Sequence, residues 1–362
     1  MSKFKVGIVG VSRGGSFMRH YAKSDRTEIT ALCDLDEVKL ADCGESLGLP
    51  ESALYTDYDA FLTSDIDIVV IGTPIPLHAE QVVKGLKAGK HVLSEVTMAN
   101  TVEGCKEVWD AAREAKKKGI KYMLAENYIY FHFMKEWRQY VKDGFLGDIH
   151  YAEAEYIHDI RHLLVDKSSG ETFWRTYRPP IHYCTHCLGP IMSLIGNGDY
   201  IVKATAAGKN NTILPDLWPS TNDMQTALFE TKQGRGIKIC RSQVTPRPEP
   251  HTVYYSVYGT KGFIENNRHG GETVGMRYFE GVDKTSVPIN CYQTEVEAAE
   301  FAKRSHGTSD WYISQDFLDC IEFDREPLLN ETFAAQITLP GIIAHEAAVQ
   351  GNVWLDVPNF GW

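Results

Sequence analysis

The stretch Val6-Gly7-Ile8-Val9-Gly10-Val11-Ser12-Arg13-Gly14-Gly15 decides how the first third of the chain folds. Lys5 to Val9 reads as a buried strand, Gly10 as a tight turn, and the residues from Gly15 onward as a helix expected over 15–23. Amides at such a helix start can hold a pyrophosphate, because they have no partner within the helix. The next apolar run, Ile29-Thr30-Ala31-Leu32-Cys33, closes on Asp34, where a carboxylate can accept hydrogen bonds from both ribose hydroxyls of an adenosine. That carboxylate repels a 2′-phosphate, so the pattern predicts NAD rather than NADP. The middle glycine of G-x-G-x-x-G is Ser12 here, whose side chain narrows the approach of the pyrophosphate. Gly10, Ser12, Arg13 and Gly15 are the cofactor candidates of this turn. Arg13 has two readings, a phosphate partner or a solvated surface arginine.

Strand and helix patterns alternate onward from the turn. Strands are expected at 5–9, 29–33, 67–71, 91–94 and 121–125, and helices near 15–23, 37–47, 78–87 and 102–118. Continuous apolar runs such as Ile66-Asp67-Ile68-Val69-Val70-Ile71 suit strands buried on both faces, so residues 1–125 read as a doubly wound parallel sheet of Rossmann type. After about residue 145 the texture changes to period-two segments at 150–156, 201–208, 223–231, 235–243 and 252–259. These predict a second α+β domain over 126–362 with a large, mostly antiparallel open sheet. Helices are expected at 186–195 and 332–349, the latter turned back toward the first domain.

Composition narrows the partners. At 362 residues two domains are the natural expectation, and 43% hydrophobic residues are ample for burial. A net charge of −11 without a Lys/Arg-rich run excludes the basic footprint that nucleic acid or an anionic membrane requires, leaving a small molecule as partner. The first strand begins at Lys5, too early for a secretion signal, and no apolar run reaches membrane-span length, so a cytoplasmic location is expected. The eight cysteines are scattered rather than framework-spaced, and thiols are expected.

Two further segments carry a family resemblance together with the glycine turn: Gly72-Thr73-Pro74-Ile75-Pro76-Leu77-His78 and Ala88-Gly89-Lys90-His91-Val92-Leu93-Ser94-Glu95-Val96-Thr97. With the two-domain layout, the chain resembles the Gfo/Idh/MocA oxidoreductases over nearly its whole length. That family usually reads Glu-Lys-Pro at 95–97, with the lysine close to the reacting hydroxyl; here the lysine is Val96. Glu-Val at these positions is similar to the branch typified by NAD-dependent α-N-acetylgalactosaminidases. Glu126-Asn127-Tyr128-Ile129-Tyr130, Tyr156-Ile157-His158-Asp159-Ile160-Arg161 and Tyr183-Cys184-Thr185-His186-Cys187-Leu188-Gly189-Pro190 agree with it. The resemblance implies that Glu126, Tyr156, Tyr183 and His186 surround the sugar. It adds Thr73, Pro74, His78, Glu95, Val96 and Asn127 as cofactor contacts, and His158, Arg161, Trp174 and Arg175 as substrate contacts.

The residue types permit redox-assisted chemistry. Taking hydride from a sugar C3 onto NAD needs a base for the hydroxyl proton, a role suited to histidine near neutrality and assigned to His186. The C3 ketone acidifies the C2 proton, which Tyr183 can abstract if positive charge or hydrogen bonds lower its pKa from about 10. The anomeric group then leaves, water adds and hydride returns, so a tightly held NAD is recycled. Blander readings remain. Tyr183 and His186 can be a core pair at a helix start, and His158, Asp159 and Arg161 a polar strand face. His78 can simply begin a helix. His182, Cys184, His186 and Cys187 invite a zinc reading that lacks a second C-x-x-C, and no metal is expected. Trp174, Trp218 and Trp311 can stack on sugars or serve in packing. The rival functions are a glycoside 3-dehydrogenase that passes on its 3-keto product and a non-catalytic NAD or sugar sensor. The uncovered sheet face predicts a homo-oligomer.

Overall fold

The computed structural model describes residues 3–166, 169–196, 198–217, 222–247, 252–268, 274–290 and 309–362. These fall into two compact units, one of Met1–Asn127 with Val296–Ala335 and Trp362, the other of Tyr128–Glu295 with Gln336–Gly361.

The first unit alternates strand and helix: β1 (Phe4–Val9), α1 (Val11–Lys23), β2 (Thr27–Cys33), α2 (Glu37–Leu47), β3 (Leu54–Tyr55), α3 (Tyr58–Leu62), β4 (Ile68–Ile71), α4 (His78–Lys87), β5 (His91–Ser94), α5 (Val102–Lys116) and β6 (Tyr122–Leu124). The strands form one parallel sheet in the order β3-β2-β1-β4-β5-β6, the doubly wound arrangement read from the sequence. Every residue of β4 is buried, as helices on both faces of a parallel sheet require. Asp36, Asp57 and Thr101 cap α2, α3 and α5 by accepting from the Lys39, Ala60 and Gly104 amides.

One boundary differs from expectation: α1 begins at Val11, not near Gly15. Its N-cap is Gly10, which has no side chain to satisfy the first amides, and the Asp34 carboxylate supplies the missing acceptor by taking the Val11 N–H at 2.8 Å.

The second unit carries α6 (His132–Lys142), β7 (Ile149–Ile157), α7 (Thr185–Ile195), β8 (Ile201–Ala207), β9 (Gln225–Thr231), β10 (Gly236–Ser242), β11 (Val253–Gly259), β12 (Gly262–Glu265), β13 (Val274–Phe279) and β14 (Val287–Asn290). With the later β15 (Leu355–Asp356) these strands make a nine-stranded sheet ordered β14-β13-β12-β11-β7-β10-β9-β8-β15. Its pairings are antiparallel except β7 with β10. The apolar helix α7 lies against β7 and β11, so the inward residues of β7 are Ala152, Ala154 and Tyr156. Leu228 and Tyr258 remain exposed.

Not everything after residue 125 joins this unit. Helix α8 (Ser309–Glu322) belongs to the first unit, where Arg26 pairs with Asp319 at 2.8 Å and with Glu322. Helix α9 (Glu331–Val349) crosses the division, which falls after Ala335. Within the second unit Gly341 of α9 lies so close to the 181–184 turn that a Cβ would stand 2.6 Å from the Ile181 carbonyl and 2.7 Å from Cys184 Sγ. The seven described cysteines are thiols, and Cys291 lies outside the described residues. No helix among the described residues is long and apolar enough to cross a membrane.

Candidate active site

In the first unit the glycine turn is a backbone cradle. Gly10 has φ +82°, and a Cβ there would stand 2.6 Å from the Gly72 carbonyl carbon. A Cβ on Gly72 would in turn stand 2.6 Å from the Gly14 amide nitrogen. Three glycines thus bring the carboxyl ends of β1 and β4 and the first turn of α1 together, leaving backbone rather than side chains there, as a pyrophosphate cradle requires. Ser12 is exposed in that turn, and Gly15 is half-buried. Asp34 is fixed by accepting from Val11 N at 2.8 Å and Asp36 N at 3.0 Å, one bond per carboxylate oxygen, which leaves further lone pairs for ribose hydroxyls. These features fit a bound NAD.

Arg13 is a paired arginine rather than a simply solvated one. Its guanidinium, 27% exposed, reaches Glu95 at 2.5 Å and Asp310 of α8 at 3.5 Å and also donates to Ser16. Asp310 also accepts from Asn127 Nδ2 at 2.8 Å, while Asn127 Oδ1 is buried without a hydrogen-bond partner. That orphan acceptor suits an amide donor such as a carboxamide. Glu95 and Val96 are buried directly after β5, with the Val96 amide 3.3 Å from a Glu95 carboxylate oxygen. Glu126 is fully buried where the chain leaves β6.

His78 does begin α4, but its ring is closed to a ligand. It is fully buried, with Nδ1 2.7 Å from the Thr97 carbonyl and Nε2 2.8 Å from the Thr73 carbonyl. It braces the 73–78 turn to the 95–97 segment, and burial lowers its pKa. Thr73 donates to Gln81 Oε1 at 2.5 Å, and Pro74 caps the short turn that follows. Trp311, expected as a sugar platform or packing residue, meets His20 edge-on at 6.0 Å in this unit.

In the second unit His186 sits in the first turn of α7 among three tyrosines. Its ring is stacked on Tyr128 at 4.0 Å with planes 10° apart, and meets Tyr183 at 5.0 Å and Tyr156 at 5.2 Å edge-on. Its carbonyl accepts from Tyr255 Oη, which anchors α7 on β11. Tyr183 is half-buried on the 3-10 turn Pro180–Tyr183. That turn is held by Gln225, whose Oε1 accepts from Ile181 N at 3.2 Å and whose Nε2 lies 3.1 Å from His345 Nδ1 on α9. Tyr156 is buried on β7 with its hydroxyl 2.8 Å from His158 Nδ1. Burial pushes the Tyr128 phenol well above 10.

The other expected substrate contacts are spread around this cluster. Arg161 grips Asp159 through two nitrogens at 2.9 and 2.6 Å, and both line a cleft of about 500 Å³ with His162, Val165 and Leu214. The Arg175 guanidinium lies 4.5 Å over the Trp174 ring. Trp218 lies outside the described residues. Sequence reasoning did not single out Tyr128, Arg178, Arg241 or Asp310. Arg241 had a readable signal: it follows Ile237 and Ile239 on the buried face of β10, where a charged residue breaks the apolar alternation.

Comparison with known proteins agrees with both halves. Residues 4–122 match the model of the oxidoreductase family, NAD-binding Rossmann fold, and residues 135–362 match the glycosyl hydrolase 109 C-terminal domain. A glycosyl hydrolase family 109 protein of Shewanella pealeana is 30% identical over 99% of this chain and 86% of its own length. Among solved structures, an oxidoreductase domain protein from Kribbella flavida superposes with a TM-score of 0.84 at 19% identity, covering 99% of this chain and 100% of its own. A levoglucosan dehydrogenase in complex with NADH and L-sorbose gives 0.81 at 19%, with the same coverage of 99% and 100%. The chain belongs to the glycosyl hydrolase 109 family, built on an NAD-binding Rossmann domain of the oxidoreductase family.

Proposed function

We propose that this enzyme oxidises the C3 hydroxyl of a pyranosyl glycoside, removes the C2 proton of the 3-keto sugar, and cleaves the glycosidic bond before the ketone is reduced again. The observation that carries the reading is the His186 ring stacked on Tyr128 and met edge-on by Tyr183, an imidazole and a phenol whose ring centroids are 5.0 Å apart. Bound NAD supplies the hydride acceptor at C3 and the donor at the end of the cycle.

His186 takes the proton of the C3 hydroxyl as the carbonyl forms, and stacking on Tyr128 fixes the plane in which its nitrogens point. Val96 stands where a lysine does this work in ordinary members of the resembled family, so the proton must go to another base. Tyr183 then takes the C2 proton, which the neighbouring ketone acidifies. The electron pair left at C2 expels the anomeric group, breaking the C1–O bond, and the departing oxygen takes up the proton that Tyr183 removed, which leaves Tyr183 free to act again. Water adds across C1 and C2, its oxygen to C1 and its proton to C2 through Tyr183. Finally His186 returns the proton to O3. The sum is glycoside plus water giving sugar plus aglycone, with no NAD consumed. Tyr156 and His158, hydrogen-bonded to each other, and Arg161, Trp174 and Arg175 are the proposed sugar and aglycone contacts. Gly10, Ser12, Gly15, Asp34, Thr73, Pro74, Glu95 and Asn127 are the proposed cofactor residues. A cytoplasmic homo-oligomer formed through the open sheet face completes the reading.

The test is a panel of glycosides scored for bound-nicotinamide reduction, 3-keto product and released aglycone. Aglycone release without net NAD consumption is expected. Accumulation of 3-keto glycoside alone would make the protein a dehydrogenase, and no absorbance change with any glycoside would make it a sensor.

A further inference from the structure

Two arginines of the second unit are buried without an acid. Arg241 is 1% exposed and Arg178 is 8% exposed, yet among the described residues neither meets a carboxylate within ion-pair distance, unlike Arg161 with Asp159 or Arg235 with Asp199. Their hydrogen bonds go to neutral acceptors: Arg178 donates to Gln243 Oε1 at 2.9 Å and Arg241 to the Tyr156 carbonyl at 3.2 Å. The Nε of each has no partner. Burying a guanidinium this way is unfavourable, and a well-packed apolar side chain would be tolerated as well or better. What the charges do face is tyrosine. The Arg178 guanidinium lies 4.2 Å from the Tyr183 ring centroid, and that of Arg241 lies 5.7 Å from Tyr183 and 4.4 Å from Tyr156.

We propose that Arg178 and Arg241 are positioning residues for the Tyr183 base, supplying the positive field that stabilises its phenolate and the sugar enolate formed on loss of the C2 proton. This rests on the assignment of Tyr183 given above. Tyr183 is faced by Tyr156 from β7, Arg241 from β10, His186 from α7, Arg178 from the preceding turn and Tyr128 from the segment before α6. The Tyr156 hydroxyl is engaged with His158 and its residue is buried, whereas Tyr183 is half-buried and reachable by a substrate. Burial and the charge of Arg241 hold Arg178 down to about 9, so it is still cationic at neutral pH. Opposite charge held near a phenol favours its ionised form, by roughly 1–3 pH units for a close pair.

The experiment is a pH titration of the tyrosinate absorbance of the NAD-loaded protein, run beside the pH profile of C2 proton exchange on a glycoside. Wild type should show one phenol ionising below the ordinary value of about 10, absent in Tyr183→Phe. Arg178→Met and Arg241→Met should each raise that midpoint and the acid limb of the exchange profile together, by roughly a unit or more. Arg178→Lys should restore most of the shift, and melting curves show whether each variant folds. A midpoint indifferent to both arginines, with Tyr183-dependent exchange intact, would overturn the proposal alone. A midpoint that moves in a protein showing no exchange would sink the glycosidase reading and leave the arginine–phenol coupling standing. Weaker binding confined to carboxylated glycosides, with no midpoint shift, would assign the arginines to substrate charge and overturn the proposal.

Discussion

In the first unit Arg13 is paired with the carboxylates of Glu95 and Asp310, whereas in the second Arg178 and Arg241 lie against tyrosine rings with no acid beside them among the described residues. The paired arginine ties α1, the end of β5 and the start of α8 into one frame, and its charge is spent locally. The unpaired arginines leave their field available to whatever approaches Tyr183. The same side chain therefore builds a scaffold in one unit and an electrostatic environment in the other, and the two uses have opposite mutational signatures.

The largest effect is expected at His186. His186→Ala should lower glycoside-driven NAD reduction by about 10²–10⁴-fold, the range for removing a general base, while the protein still melts cooperatively. A rate near that of the parent would make His186 a packing residue stacked on Tyr128.

Next is acid stability, which probes burial in both units. Burial pushes His20 and His91 in the first unit down to about 4, and His182 in the second to about 3, with His345 adding to the effect on His182. Unfolded histidine binds its proton near 6.5, so below that pH the unfolded chain holds more protons than the folded one. Stability is thus fully present above about pH 6.5 and falls as pH drops toward 4, by up to about 2 kcal/mol per histidine after discounting for partial exposure. Denaturant melts at pH 7 and 4.5 check this, and a flat profile would contradict it.

The arginine contrast itself predicts a smaller pair of effects. Arg13→Met should destabilise by about 2–3 kcal/mol because it strips the cation from two buried carboxylates, while Arg241→Met should lie within about 1 kcal/mol of wild type. Equal losses would erase the distinction between the two units. Smallest is Asp34→Ala, which loses the bonds to Val11 and Asp36 amides and the repulsion of a 2′-phosphate. It should cost about 1 kcal/mol of stability and shift NAD over NADP preference by about tenfold, read by titrating both cofactors.

Much of this was legible in the chain because backbone constraints write themselves into sequence. The all-apolar β4 and the glycines at 10, 14 and 72 can be read as buried strand and close backbone approach, since little else satisfies either. The start of α1 was not legible, because the acceptor for its first amide comes from Asp34, 23 residues away. The return of α8 to the first unit depends on Arg26 meeting Asp319 and Glu322, pairings with no local signature. In the candidate site, Tyr183 and His186 were visible as a spaced pair at a helix start. Arg241 was visible only as a charge on the buried face of β10, and its convergence with Arg178 on the Tyr183 ring was not, since the two are 63 residues apart in sequence.

The most direct test of the central claim is to incubate wild type and Tyr183→Phe with a glycoside in deuterated water and follow deuterium at C2 alongside NAD reduction. The account predicts deuterium at C2 and aglycone release with wild type, and NAD reduction without either in Tyr183→Phe, where the ring's shape survives and only the acid–base oxygen is lost. Formation of 3-keto glycoside by wild type without C2 deuteration would contradict it, leaving a dehydrogenase in place of a glycosidase.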